Sequence, residues 1–317
     1  MGGTVIKFTA ISIAFILTNV TSPSMISNST LPRQFLDLNI PQKRTSSSQS
    51  SLCMSESVIS CVQVKIDLEV VKQADIISLP NETILKIKSR NGHSSTYQNQ
   101  LAEAYFVWDK VTIVGKITMP GKIWSIQGCG NTCYLWIEHT QKGRYDIEAL
   151  PVPPGPMMER QLIEYQEEDP DTIVTVTNMV YYTPTFRDSF VNDDELNAYI
   201  DLVFLEANTG YQNSGISLRI QVHCKELIEV IYYEGLTAGH ALQSFQGDAS
   251  RKDADTASLW AESFDYYGSR ACGVAYVDVS TYCDYAYSVI SKTCAMQGYG
   301  FAHELGHNFG SWHKIEL

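Results

Sequence analysis

A cluster of histidines near the C-terminal end constrains this chain more than any other feature. Three of the 7 histidines, His303, His307 and His313, fall within one short segment, with Glu304 after the first and Gly310 before the last. The segment, HELGHNFGSWH, fits the pattern H-E-x-x-H-x-x-G-x-x-H at every fixed position. By chance, the full pattern would occur in about one of a hundred thousand chains of this length and composition. We therefore set aside the alternative that these are ordinary surface or core histidines of an amphipathic helix.

The spacing of these residues predicts a zinc site. His303 and His307 are one helical turn apart on one face, so both imidazoles can reach a single ion. Gly310 can adopt a positive φ, end the helix and return the chain, which makes His313 a third ligand. Three imidazoles that leave a fourth position open are typical of catalytic Zn²⁺. Glu304 lies beside the first ligand, where it can act as general base on a water without binding the metal itself.

The other histidines stand alone in the sequence. We expect each of them to be an ordinary solvated or packed residue and not a metal ligand. They are His93, His139, His223 and His240.

The N-terminal residues have the layout of a secretory signal peptide. Lys7 precedes an apolar run from Phe8 to Leu17, and polar, small residues follow, which predicts a signal peptide over residues 1–24. The run is too short to cross a bilayer, and we find no membrane anchor in the chain. The 8 cysteines then indicate disulfides formed in an oxidising compartment. We expect a secreted, extracellular protein; the pairing of the cysteines and the oligomeric state stay open.

Composition divides the remainder into three parts. Residues 25–150 join a Ser/Thr-rich leader to β-rich runs with turn residues between them, and predict a small all-β unit. Residues 151–171 are rich in proline and acids and predict a linker. Strands alternate with helices over residues 172–317, which predicts an α/β or α+β domain. Within it we expect a strand at 172–183, a helix that begins at Asp193, and a further helix at 254–267.

The net charge argues against nucleic acid as a partner. The chain carries 23 Lys+Arg against 35 Asp+Glu, a net charge of −12. Residues 171–317 hold 19 acids and 8 bases, so nearly all of the excess lies in the last part of the chain. A domain of this sign repels phosphate groups.

The histidine segment resembles that of the metzincin zinc proteases, and its context GYGFAHELGHNFGSWH resembles the reprolysin (adamalysin) group and the related peptidyl-Asp metalloendopeptidases. The similarity extends upstream over about 172–313, through NMVYYTPTF, the helical LNAYIDLVFLEANTGYQNSG and the strand-like GVAYVDV. The resemblance implies a metzincin-like catalytic domain built on a twisted mixed sheet, in which GVAYVDV is an antiparallel edge strand that binds extended substrate. It also implies a secreted zinc metalloendopeptidase that hydrolyses peptide bonds in proteins, with the β-rich unit as its propeptide.

Two cysteines in the β-rich unit leave two interpretations open. In the segment GCGNTC, Cys129 or Cys133 could block the zinc as a thiolate, as a propeptide cysteine does in some zymogens. A local disulfide between them is the interpretation that we favour.

The chain departs from the family pattern in two places. Lys314 follows the third histidine, where many reprolysins carry aspartate. The methionine turn that metzincins place after the zinc helix has no counterpart before Leu317, since all methionines lie upstream of His303. We therefore expect a C-terminally truncated catalytic domain with little activity as written. The alternative function is an inactive secreted binding or matrix protein on a metzincin scaffold.

Overall fold

The computed structural model describes residues 33–34, 36–37, 58–79, 83–110, 112–130, 133–139, 150–151, 172–229, 236–266, 269–277, 283–296 and 299–313. They divide into two compact units. The first unit contains the described residues of 33–139 together with 189–202, and the second contains those of 150–188 and 203–313. The predicted signal peptide and all but the first residue of the predicted linker lie outside the described residues.

Within the first unit, the described residues of 33–139 form a ten-stranded sheet with one short helix. Strands from Val58 onward confirm that residues 58–139 are β-rich, and successive hairpins pair β4 through β10 before β10 returns to β3. The elements are β1 (Arg33–Gln34), β2 (Leu36–Asp37), β3 (Val58–Ile66), α1 (Leu68–Gln73), β4 (Ile76–Ser78), β5 (Ile84–Arg90), β6 (Ser94–Gln98), β7 (Glu103–Trp108), β8 (Ile113–Met119), β9 (Lys122–Gly130) and β10 (Cys133–His139). The sheet order is β1-β4-β5-β6-β7-β8-β9-β10-β3-β2.

One face of this sheet packs against α1. Asp67 caps the helix by accepting a hydrogen bond from the backbone N–H of Val70, and Tyr97 donates its hydroxyl to the carbonyl of Ala74 at the other end. Aromatic residues of the strands pack in the core between α1 and the sheet, where the rings of Trp124 and Trp136 are in contact. This unit therefore has a hydrophobic core of its own.

The second unit is a mixed α/β structure around a six-stranded sheet of order β11-β17-β18-β14-β12-β13. Four strands, β18, β14, β12 and β13, run parallel, and β17 is antiparallel to β18. The elements are β11 (Leu150–Pro151), β12 (Val174–Tyr182), α2 (Pro184–Asp188), α3 (Asp193–Asn213), β13 (Leu218–Leu227), α4 (Ala238–Asp248), β14 (Thr256–Ala261), β15 (Phe264–Tyr266), β16 (Ser269–Ala271), β17 (Gly273–Val277), β18 (Tyr287–Ser291), α5 (Lys292–Met296) and α6 (Gly300–Asn308). Within α3, residues 193–202 group with the first unit.

The predicted helix at 254–267 is wrong. The stretch forms β14 and β15, while the helix in this part of the chain is α4, which the N-cap Thr237 begins. All six residues of β14 are buried. A strand covered on both faces has no alternation of polar and apolar residues, so its sequence looks the same as that of a buried helix.

Strand β17, the described part of GVAYVDV, is antiparallel to β18, as the resemblance implies, but it is not the last strand of the sheet. Its outer side pairs with β11, which runs parallel to it: Leu150 lies opposite Tyr276, and Pro151 opposite Val277. The chain thus supplies a two-residue partner to its own edge strand.

Aromatic packing holds α6 against the sheet. Phe301 of α6 is buried, with its ring centroid 4.8 Å from that of Phe204 on α3 and 5.2 Å from that of Trp260 on β14. Tyr211 of α3 donates its hydroxyl to the carbonyl of Ala302, at 2.9 Å. Burial raises the pKa of Tyr211, so this hydroxyl stays protonated and keeps its role as donor.

Candidate metal centre

The C-terminal end of α6 is built around Gly310. This glycine has a φ of 92°, donates its N–H to the carbonyl of His307 at 2.8 Å, and is followed by Ser311, whose N–H reaches the carbonyl of Gly306 at 2.9 Å. These two bonds form the Schellman arrangement, in which a left-handed residue ends a helix and satisfies its last carbonyls. The structure therefore confirms the prediction that Gly310 ends the helix with a positive φ and turns the chain back.

The turn brings the three predicted ligands together. His303 Nε2 lies 3.1 Å from His307 Nε2 and 2.9 Å from His313 Nε2. All three ligand atoms fall within 4.8 Å of one another, and no second group of three potential ligands occurs among the described residues. A zinc ion with tetrahedral bonds of about 2.0–2.1 Å needs nitrogens roughly 3.3 Å apart, so the site is slightly tight but of the right size.

The protonation of His307 also suits a metal. Its Nδ1 lies 2.6 Å from the carbonyl oxygen of Ser311. A carbonyl only accepts hydrogen bonds, so Nδ1 carries the proton and the Nε2 lone pair points toward the other two imidazoles. A set of three imidazole nitrogens is one that zinc prefers.

The side chain of Glu304, on α6, packs against the start of β17. Its side chain is 4% exposed, and a Cβ added to Gly273 would lie 2.9 Å from its Oε1 and 2.5 Å from the carbonyl oxygen of Val289. Side chains essentially never approach that closely, so glycine at the start of β17 makes the room that the carboxylate occupies. The predicted base therefore lies on the side of the helix that faces β17.

A disulfide lies next to this contact. Cys272, next to Gly273, is bonded to Cys294 of α5. The carbonyl of Cys294 lies directly against Gly300, where α6 begins. The bond thus links the residue before β17 to α5, the short helix that precedes α6.

The remaining cysteines resolve the choice between the two interpretations of GCGNTC. Cys129 and Cys133 form a disulfide with each other, so neither is present as the free thiolate that would block a metal. Cys61 is also disulfide-bonded, and Cys224 is an exposed free cysteine.

The four isolated histidines take no part in the metal centre. His139 is the one that is buried: its Nε2 lies 2.7 Å from the Ser125 hydroxyl. Burial, and secondarily the nearby charge of Lys116, lower the pKa of His139 to about 4.

Asn308 is a residue of this site that sequence reasoning missed. It is 1% exposed and donates its side-chain Nδ2 to the carbonyl of Tyr276 on β17, at 2.7 Å, and to that of Tyr287 on β18, at 3.1 Å. The histidine pattern leaves this position variable, so only its place directly after His307 could have drawn attention to it.

Residues 172–317 match the profile Reprolysin_5 of metallo-peptidase family M12. A peptidyl-Asp metalloendopeptidase of Pseudomonas aeruginosa is 30% identical over 158 residues, which cover 45% of this chain and 26% of that protein. A peptidyl-Asp metalloendopeptidase of Stenotrophomonas maltophilia is 24% identical over 212 residues, 64% of this chain and 50% of that protein. The chain therefore spans between a quarter and half of the length of these curated relatives.

Among solved structures, the chain is similar to metalloproteinase-II from Bacteroides fragilis. The match has a TM-score of 0.39 and 10% sequence identity, and it covers 82% of this chain and 84% of that one.

Proposed function

We propose, from the match of residues 172–317 to the Reprolysin_5 profile of metallo-peptidase family M12, that this protein is a secreted zinc metalloendopeptidase. The observation that carries the proposal is the convergence of three imidazole nitrogens at the end of α6, the helix that also carries the buried carboxylate of Glu304. Two curated relatives named as metalloendopeptidases support the same activity. The substrates are peptides and proteins.

Each residue of the centre has a role in the proposed reaction. His303, His307 and His313 hold the zinc ion, which when bound supplies Lewis-acid polarisation of the scissile carbonyl and lowers the pKa of water. Glu304 takes a proton from the attacking water on its carboxylate and returns it to the leaving nitrogen. Ser311 keeps the His307 imidazole in the tautomer that can bind metal, through the 2.6 Å contact at Nδ1.

The edge strand β17 is the proposed binding surface for the substrate backbone. An extended peptide adds to an exposed sheet edge through main-chain hydrogen bonds. The parallel partner β11, on the outer side of Tyr276 and Val277, supports the idea that this edge accepts a further strand.

The same contact supports a role for residues 25–150 as a propeptide. While the chain is intact, Leu150 and Pro151 occupy the edge that a substrate needs. Two residues of pairing are too few to bind tightly once they are no longer tethered, because a free segment loses translational freedom on binding. Cleavage within 152–171 is therefore expected to raise the rate of peptide hydrolysis, and an unchanged rate in the cut protein would argue against a propeptide.

Secretion remains a proposal that rests on the predicted signal peptide. The disulfides Cys129–Cys133 and Cys272–Cys294 support it, because such bonds persist in oxidising compartments. None of the helices that the structure describes is both long and apolar enough to cross a bilayer.

The test compares Glu304→Gln with Glu229→Gln, which makes the same chemical change at an exposed position. We expect Glu304→Gln to retain zinc while hydrolysis falls by about 10²–10⁴-fold, the range for a positioned general base. Glu229→Gln should match the wild type. Hydrolysis is measured on a panel of peptides with and without aspartate, because the two relatives are named for peptidyl-Asp bonds.

Three outcomes decide the matter. Equal activity in Glu304→Gln removes this residue from the mechanism. Loss of zinc in that variant makes it a ligand instead of a base. A wild-type chain that binds zinc and peptides but cleaves none of them favours the inactive binding protein on the same scaffold.

A further inference from the structure

The ladder between β17 and β18 ends at a defined point. Pairing runs from Gly273 to Ala275, whose partner is Ser288. The same register would next bring Tyr276 opposite Tyr287. At that position the carbonyls of both tyrosines instead accept hydrogen bonds from one side chain, Asn308.

The Asn308 amide suits this place chemically. Its NH₂ group has two hydrogens, one for each carbonyl, whereas its oxygen could donate to neither. Tyr276, Tyr287 and Asn308 are all buried, at 2%, 5% and 1% exposure. Removing the donor of a buried carbonyl costs about 1–3 kcal/mol of folding free energy. Moving the Asn308 amide away would remove this donor from two carbonyls at once, so the amide is held firmly in place.

This contact connects the substrate edge to the metal centre. Asn308 is the last residue of α6 and follows His307 directly. Tyr276 and Val277 form the part of β17 that lies beyond the ladder and whose outer side pairs with β11. The amide is therefore a direct link between the helix that carries two histidines and the stretch of β17 that accepts a further strand.

We propose that Asn308 is a positioning residue, which fixes Tyr276 and Val277 relative to the His307 imidazole so that an extended peptide on this edge presents its scissile carbonyl at the metal. The inference rests on the proposed function. Since Asn308 acts through the edge strand, it matters for substrates long enough to pair with that strand. A short substrate that reaches only the metal gains little from it.

The test uses the whole chain and compares Asn308→Ala with Asn208→Ala. Asn208 is a matched control, since its side chain donates to the carbonyl of Ile220 at 2.9 Å and accepts from the Ile220 N–H at 2.7 Å. It clamps α3 to β13, the strand at the other edge of the sheet. Each variant loses the two hydrogen bonds of one buried or half-buried side-chain amide. Only Asn308→Ala removes a bond to β17.

The readout is the ratio of kcat/KM for a hexapeptide to that for a blocked dipeptide with the same scissile bond. We expect Asn308→Ala to lower this ratio at least tenfold with zinc content unchanged, and Asn208→Ala to leave it within about twofold, since tenfold corresponds to one or two lost hydrogen bonds. An equal fall for both substrates, or a fall that follows lost zinc, would mean that Asn308 only supports the fold. Asn308→Gln, which keeps both donors on a longer arm, replaces the alanine variant should that one not fold, and its ratio should fall less.

A second measurement does not depend on cleavage. Hydrogen exchange at the amide of Val277 should accelerate in Asn308→Ala and stay unchanged in Asn208→Ala. If the wild-type chain cleaves no peptide, the proposed function fails, while exchange at Val277 still decides whether Asn308 holds the edge. Unchanged exchange in Asn308→Ala would overturn the inference.

Discussion

His139 illustrates how its surroundings decide what a single residue does. In the sequence it is as isolated as His93, His223 and His240. In the structure it is 8% exposed and in contact with the Ser125 hydroxyl inside the ten-stranded sheet. Burial opposes the charged form of an imidazole, and the ammonium of Lys116 opposes it further. The neutral form is therefore the one that the folded first unit accepts.

A loss of stability in acid follows for the first unit. The pKa of His139 is about 4 in the fold, below the ordinary imidazole value of 6.5 that applies to the unfolded chain. The unfolded state therefore binds the proton first, so stability is complete above pH 6.5 and declines as the pH falls toward 4. The full loss is about 3 kcal/mol at 1.36 kcal/mol per pKa unit.

The change is measured from the hydrogen-exchange protection factors of strands β8–β10 at pH 7 and pH 4, each taken relative to the intrinsic exchange rate at that pH. His139→Gln should remove most of the pH dependence, while His93→Gln, at an exposed turn, should leave it in place. A wild-type protein as stable at pH 4 as at pH 7 in this region would contradict the assignment.

Gly310 shows how one element end can decide the geometry of a site. On a helix that continued past Phe309, the third histidine would face away from the other two. The positive φ of Gly310 ends α6, and the bonds of the Schellman turn place His313 Nε2 2.9 Å from that of His303. The metal centre therefore depends on a helix terminus as much as on the ligands.

Gly310→Ala should weaken metal binding. A side chain at a positive φ is strained by about 1 kcal/mol, and the strain can be relieved by moving the turn that carries His313. We expect zinc affinity to fall about tenfold, the equivalent of 1.4 kcal/mol, in a competition titration with a chelating dye.

Gly121→Ala is the control for that substitution. Gly121 also has a positive φ, 75°, but lies in the turn between β8 and β9 of the first unit. Its replacement should destabilise the protein by a similar amount and leave zinc affinity unchanged. Equal affinities in both variants would show that the turn after α6 does not control the third ligand.

At the scale of the whole molecule, the two units have separate cores. One core lies under the ten-stranded sheet and includes Val64, Ile113 and Trp136. Another lies in the mixed unit and includes Met179, Phe245 and Val289. All three proposed zinc ligands belong to the mixed unit. A ligand that binds only the folded state stabilises the part of the chain that contains its site.

Metal removal should therefore have a local effect on stability. With free zinc at 100 times its dissociation constant, the bound ion contributes about 2.7 kcal/mol. A chelator should accelerate hydrogen exchange in β17, β18 and α6, and added zinc should reverse the change. Strands β5–β9 of the first unit should be unaffected. An effect of equal size in both units would show that the ion stabilises the molecule as a whole.

Features that depend on local spacing could be predicted from the sequence alone. The period of the α-helix places His303 and His307 together, a glycine ends the helix, and acidic residues begin α3 at Asp193. The alternation of short strands and turns was sufficient to identify the β-rich unit. These features are readable because each depends on residues within a few positions of one another.

Features that depend on residues far apart in the chain follow from tertiary packing. It placed β14 where a helix was predicted, because burial on both faces removes the periodic signal. It brought Gly273 against Glu304 and the amide of Asn308 between Tyr276 and Tyr287, contacts that span some twenty to thirty residues of chain. No local pattern encodes such contacts, since they follow from how a helix packs across two strands of a sheet.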